Sequence, residues 1–523
     1  MKRRLRGFLL LSALVVSVAS ALSCGRRQVA QNLPPRPTVR RPPHLRPDYA
    51  GTVIPPNLAP LNFVVEEPGT RFAVAVRGPN GRSVRVVSAT PSIVFPQGPW
   101  RSLLSASRGR QLTFEVCARS AKGGWRRFQP VTNTVAREEV DPYLVSRVIP
   151  TVHNIWFRIE IRQRNLESFD QSPILHNRSF ADGCLNCHAF CNNRTDLMTL
   201  GIRSKVHGSS ALLAQDGAVT KIDAKFGYTA WHPSGRVAAF SLNKVNQFFH
   251  AGGVEVRDVV DNESALAYYV VDAKTVRTSP KFSNPDWLET YPTWSPDGKY
   301  LYFCSAPVLW QNRKKIPPDH YEELQYDLMR IPYDVERDRW GERETVLSAK
   351  ETGRSLLLPR ISPDGKLLLF CGCDYGCFPI FQPSSDLYLM DLKTRKYRRL
   401  DGANSDRSES WHSWSSNSRW FVFSSKRSDG LFTRSYFSYV DERGNAHKPF
   451  LLPQEDPTFY DTCLNCYNVP ELIKEPVRTT PRRLAAAIRG SRAIKVDMPV
   501  KFSTAKGAKA GAAPTDMPWR SGR

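Results

Sequence analysis

The sequence predicts a mainly β fold in which a C-terminal β-propeller follows a small β-sandwich-like domain and a connector. The first observation is a repeat. Trp231-His-Pro-Ser-Gly-Arg-Val-Ala-Ala-Phe-Ser241, Trp294-Ser-Pro-Asp-Gly-Lys-Tyr-Leu-Tyr-Phe-Cys304, Ile361-Ser-Pro-Asp-Gly-Lys-Leu-Leu-Leu-Phe-Cys371 and Trp414-Ser-Ser-Asn-Ser-Arg-Trp-Phe-Val-Phe-Ser424 align without gaps. The second is turn chemistry: proline presets φ and glycine takes a backbone shape other residues avoid, so each copy reads as an apolar anchor, a tight turn and a strand. The third is spacing. The anchors lie 63, 67 and 53 residues apart, and further strand-like runs such as Ser385–Asp391 and Tyr436–Asp441 follow the copies. Radial repetition of short sheets gives a propeller of about five to six blades over residues 206–470.

The chain opens with Lys2, Arg3, Arg4 and Arg6 before an apolar run from Phe8 to Leu22, the layout of a secretory signal. Ala21-Leu22-Ser23-Cys24 resembles a bacterial lipobox, with leucine one place later than that motif prefers. Residues 1–24 therefore read as a lipoprotein-type signal with Cys24 as the lipidated residue; ordinary cleavage after Ala21 or Ser23 is the alternative. Residues 25–60 are rich in Pro and Arg and read as an extended linker. Both features predict an exported chain, facing the periplasm or the cell surface and tethered to a membrane by its lipid.

Residues 61–135 alternate polar and apolar positions in runs such as Arg71–Val76 and Gln111–Val116, separated by Pro79-Asn80-Gly81 and Lys122-Gly123-Gly124. That pattern predicts the β-sandwich-like domain. Residues 136–205 read as a mixed connector. It carries the hexapeptide Gly183-Cys184-Leu185-Asn186-Cys187-His188, whose Cys-x-x-Cys-His spacing fits covalent attachment of haem c. Cys184 and Cys187 would form thioethers with the vinyl groups, and His188 would ligate iron from the proximal side. Met198 is a candidate distal ligand, with His153 and His176 as further possibilities. A disulfide between Cys184 and Cys187 is the competing account.

The remaining cysteines read otherwise. The tenth position after each anchor is Ser241, Cys304, Cys371 or Ser424, so a small side chain is what that strand end wants. Cys371, Cys373 and Cys377 suit a disulfide or plain packing in an exported protein. Cys463-Leu464-Asn465-Cys466-Tyr467 repeats Cys-Leu-Asn-Cys but puts tyrosine where the iron ligand would be. A four-cysteine zinc site joining both pairs would need partners separated far beyond the compact spacing of zinc modules.

The formal charge of +25 raises nucleic acid as a partner, so its distribution matters. Residues 1–50 contribute +9 and residues 471–523 contribute +8, leaving +8 for the 420 residues between. No basic patch with interleaved aromatics stands in the middle, which argues against nucleic acid. Residues 471–523 read as a basic, disordered tail.

The repeats, with Asn404-Ser-Asp, Trp411-His-Ser-Trp-Ser-Ser-Asn-Ser-Arg-Trp420, Tyr467-Asn-Val-Pro-Glu471, the lipoprotein-type signal and the Cys-x-x-Cys-His motif, resemble the TolB-like propeller lipoproteins that carry a cytochrome c motif in Bacteroidetes-type and related bacteria. The resemblance covers roughly residues 60–475 and implies a membrane-tethered envelope propeller with a haem site. The chain departs from the family pattern at Cys463/Cys466 and in its basic C-terminal segment. The sequence thus predicts an electron-transfer or redox accessory protein that docks an envelope or redox partner. Its first alternative is a non-redox binding propeller. Its second is a propeller enzyme with His232 and His412 near one mouth, although no Gly-x-Ser-x-Gly, His-Glu-x-x-His or Walker pattern occurs. Oligomeric state is left open.

Overall fold

The computed structural model describes residues 34, 36–151 and 158–500, with only the backbone of Asn80 and Cys187. Cys24, the signal segment, His153 and residues 501–523 lie outside them. The chain is mainly β and propeller-like, built of successive antiparallel sheets, and it divides into two compact units. Among the described residues, one comprises those up to 176 with 400–405 and 411–478, and the other residues 177–399, 406–410 and 479–500.

The first unit contains the predicted N-terminal β domain. Val53–Ile54, Val131–Val135, Gln111–Arg119, Arg71–Arg77 and Ser83–Ser88 form one sheet in that order, with Trp125–Arg127 paired to Gln111–Arg119. Alternation along Gln111–Arg119 buries Leu112, Phe114 and Val116 on one face, where they meet the helix Gln97–Ala106 through Trp100, Leu103 and Leu104. The helix was not legible in the alternating pattern. The domain also begins earlier than residue 61. Leu45–Arg46 and Val53–Ile54 are strands, and Ile54 and Leu58 are buried, so the later part of the Pro-rich stretch belongs to the fold.

The proposed connector is itself sheet. Gln171–His176, Glu160–Asn165, Tyr143–Pro150 and the C-terminal strand Asn465–Ile473 pair in that order. Tyr143 opposes Ile473 and Pro150 opposes Asn465, so a late strand completes a sheet begun by early ones. The unit's core is shared further, since Trp420, Val422, Phe437 and Phe450 join Phe63, Trp100 and Phe114 in one buried cluster.

The second unit holds four sheets in chain order. Their first strands are Cys184–Phe190, Gly227–Trp231, Trp287–Trp294 and Ser355–Ile361. Neighbouring sheets bury side chains together; Ala230, Phe282, Trp294, Phe303 and Tyr333 fill one such layer. The Trp294 indole also donates to Ala230 O at 3.2 Å.

A bulge repeats in these first strands. Register shifts between Gly227 and Ala230, between Thr290 and Thr293 and between Leu357 and Arg360. Tyr228, Tyr291 and Leu358 take φ of 44°, 54° and 54°, each three residues before its anchor. Bulky residues adopt positive φ at a cost, so the bulge is imposed by the sheets around it. The same break falls between Leu185 and His188. The Cys-x-x-Cys-His segment is therefore the first strand of another repeat, with Ala189 where the other copies carry their anchor.

The segment read as a disordered tail is structured as far as residue 500. Thr480 caps the helix Pro481–Arg489 by accepting from Arg483 N, and Leu484, Ala485 and Ile488 are buried. Ile494 then bridges Ile222, and Val496, Met498 and Val500 pack on the adjoining core. Arginines on the exposed face of this helix supply the charge, while its apolar stripe supplies the order that charge counting missed.

Candidate functional site

The hexapeptide was the first sequence-predicted site, and strand geometry tests its fit to haem. Cys184 opposes Arg203, and His188 opposes Leu200. Positions 203 and 200 of one strand face opposite sides, and cross-strand partners share a side. Cys184 and His188 therefore occupy opposite faces of the sheet. The Arg203 guanidinium lies 3.4 Å from Cys184 Sγ and donates to Asn186 Oδ1 at 3.1 Å, confirming the first face. On the other face His188 lies beside Phe190, with ring centroids 5.9 Å apart, and Phe190 opposes Met198.

Cys184, His188 and Met198 are all buried. A haem joined to Cys184 and ligated by His188 does not fit this strand, because one porphyrin cannot lie on both faces. Met198 and His188 share a face of one sheet, so they do not approach an iron from opposite sides. His176 ends the strand Gln171–His176 in the first unit, opposite Glu160. Among the described residues, no group of three or more His, Cys, Asp or Glu side chains is placed to hold a metal ion.

The other predicted residues are buried. His232 is buried; its Nε2 lies 3.1 Å from Gly298 O and its Nδ1 2.7 Å from Ser234 Oγ. Burial pushes its pKa below the usual value, against the pull of Gly298 O. His412 is buried too. Cys304, Cys371, Cys373 and Cys377 are buried, and burial raises the pKa of each thiol.

Sequence reasoning missed a different cluster, in the second unit. Val237–Phe249 and Arg257–Val270 form a long hairpin, and at its far end Asp258 is a buried hub. Tyr375 donates to its Oδ2 at 2.8 Å, His250 Nε2 lies 3.3 Å from the same oxygen, and Gln382 donates to Oδ1 at 3.4 Å. Half-buried rings edge this carboxylate. Phe248 and His250 are 5.6 Å apart, Phe248 and Tyr321 5.0 Å, and Tyr321 and Tyr375 5.9 Å. Arg257 stacks 4.8 Å over Phe381, which itself stacks on Phe378.

Polar groups continue inward. Asp261 accepts from Asn243 at 2.7 Å through Oδ2, while its Oδ1 is buried without a hydrogen-bond partner. The Tyr326 hydroxyl and both Glu289 carboxylate oxygens are likewise without one, although Arg343 lies 3.7 Å from Glu289. Burial lifts Asp261 to about 7 against the Asn243 hydrogen bond, and lifts Glu289 to about 8 against the pull of Arg343. Burial thus shifts both carboxyls toward the protonated form near neutrality. The signal in the sequence was faint: Arg257, Asp258, Asp261, Asn262, Glu263 and Ser264 put polar residues into the first half of a strand whose second half is apolar and aromatic.

No protein-family model and no curated protein matches the chain. Solved structures similar to it at a low level include the following three. Oligogalacturonate lyase from Vibrio parahaemolyticus is 15% identical over 72% of this chain and 100% of that one, with a TM-score of 0.33. An auxiliary nutrient binding protein from Bacteroides thetaiotaomicron is 12% identical over 77% and 98%, also at 0.33. Hydrazine synthase from Kuenenia stuttgartiensis is 12% identical over 51% of this chain, with a TM-score of 0.31, and the chain spans 65% of that one's length. Likeness at these scores decides nothing about activity.

Proposed function

We propose that this chain is a binding propeller of the cell envelope, exported and tethered through Cys24, that takes a saccharide at the rim around Asp258. One observation carries the ligand class. Half-buried aromatic faces and an arginine stacked on phenylalanine surround a buried carboxylate and amide. Such faces suit the C–H surface of a sugar ring, while convergent polar groups read its hydroxyls. His250 and Tyr375 are held by Asp258, so the rim is preorganised before a ligand arrives. Titration of the purified full-length protein with neutral and acidic oligosaccharides, followed by calorimetry, tests this. Saturable binding lost in His250→Ala supports it; binding only to short peptides contradicts it.

A second reading is favoured by the Cys-x-x-Cys-His motif in a chain with a secretory-type start. In it, covalent haem c makes the protein an electron-transfer or redox accessory partner. That reading requires residues 184–188 to leave the sheet, since Cys184 and His188 now face apart. Expression beside haem-attachment machinery decides it. Haem retained through denaturing electrophoresis and lost in Cys184→Ala supports it, and colourless folded protein contradicts it.

A further inference from the structure

In the first unit, the sheet that packs one face on the helix Gln97–Ala106 carries a cleft on its other face that neither reading uses. Alternation decides what lines it. Phe72, Val74 and Val76 go to the core with Leu112, Phe114 and Val116, which turns Ala73, Ala75 and Arg77 outward with Glu115 and Cys117. Cross-strand partners share a side, so the outward face is built in rows. Val87, Ala73, Cys117 and Arg127 make one row, and Arg85, Ala75 and Glu115 make the next.

In both rows the strand Arg71–Arg77 contributes only a methyl group, with longer side chains on either side. These rows and Arg77 line a trough of about 160 Å³. Its floor is apolar and closed, since Ala73, Ala75 and Cys117 are 5%, 9% and 3% exposed. Burial raises the Cys117 thiol to about 11 against the pull of Arg127, so the sulfur there is uncharged near neutrality. The rim is cationic. One Glu115 oxygen lies 3.0 Å from Arg77 Nε and the other 2.7 Å from Arg127 Nη2, so this carboxylate is taken up by two guanidiniums. Arg85 is exposed across Ala75 from Glu115 and has no ion pair among the described residues. Three guanidiniums thus surround one carboxylate, which leaves a positive surplus over an uncharged floor.

Charge and size together select a ligand class. A guanidinium matches a carboxylate through two parallel hydrogen bonds, and Arg85 has no carboxylate of its own to hold. An apolar cavity of roughly 150 Å³ accepts one benzene ring. Ala73, Ala75 and Val87 offer no side-chain group to a sugar hydroxyl, unlike the carboxylate and amide at Asp258 and Gln382. We propose that this face of the first unit binds a small organic monocarboxylate, its apolar body of about benzene size lying on Ala73, Ala75 and Val87 and its carboxylate on Arg85. This inference does not rest on saccharide or haem binding.

Benzoate is the probe, and benzamide, its uncharged isostere, is the control. Calorimetric titration of the full-length protein should give saturable benzoate binding at one site with a Kd of about 1 mM or tighter, and no binding of benzamide over the same range. Arg85→Gln should weaken benzoate about tenfold or more, through loss of a charge-assisted contact. Ala73→Leu fills the trough and should abolish binding; should that variant not fold, the wild-type and Arg85→Gln titrations still decide. No saturation at about ten times that Kd, equal affinity for benzoate and benzamide, or unchanged affinity in Arg85→Gln would each overturn the proposal.

Discussion

The Tyr375 hydroxyl donates to Asp258 at 2.8 Å across 117 residues of sequence, joining a loop of one sheet to the long hairpin of another within the same unit. Asp258→Asn removes the negative acceptor that holds Tyr375 and His250 together. A charge-assisted hydrogen bond is worth roughly 1.5–3 kcal/mol, so denaturant unfolding should show a loss of about that size. Tyr375→Phe should lose less, because Gln382 still reaches the same carboxylate.

The inner carboxyls predict a pH dependence. Asp261 and Glu289 have folded pKa values raised to about 7 and about 8. Between the ordinary carboxylate range and those values the folded state holds protons that the unfolded state has released. Stability therefore falls as pH rises from about 4 to 8 and then levels. Asp261→Asn and Glu289→Gln should each flatten that slope and raise the melting temperature at pH 8. A melting temperature that climbs over this interval would contradict the burial argument.

Two glycines in equivalent turns should respond differently to alanine. Gly365 has φ of 74° with open space where a methyl would go, whereas a methyl at Gly298, φ 72°, would collide with His232 Nε2. Gly365→Ala should cost about 1–2 kcal/mol from backbone strain alone. Gly298→Ala should cost more, since it also displaces the His232 hydrogen bond. Equal losses in thermal unfolding would mean that His232 yields freely.

Anchor removal gives a further stability comparison. Trp294 fills the layer between two sheets, and its indole N–H donates to Ala230 O. Trp294→Ala should cost about 3–5 kcal/mol in equilibrium unfolding. A loss below about 1 kcal/mol would show that the layer closes over the gap.

Much of this architecture was legible because Trp231, Trp294 and Ile361 precede turns whose chemistry is local. The repeat that begins at Cys184 was hidden, since Ala189 replaces the large anchor and Cys191–Asn193 replaces the Pro-Asp-Gly turn. Its Cys-x-x-Cys-His spacing is a statement about sequence distance. The bulge between Leu185 and His188 is imposed by pairing with Leu197–Ser204, which no local pattern announces. The rim at Asp258 was harder still. His250, Tyr321, Tyr375 and Gln382 come from separate segments, and only the packing of consecutive sheets brings them to one carboxylate.

The most direct measurement of the central claim is calorimetric titration of the full-length protein with the oligosaccharide panel, run in parallel on Asp258→Asn and on Arg85→Gln. Recognition at the rim predicts saturable saccharide binding that weakens at least tenfold in Asp258→Asn and is unchanged in a folded Arg85→Gln. No saccharide binding, or equal affinity in wild type and Asp258→Asn, would contradict it.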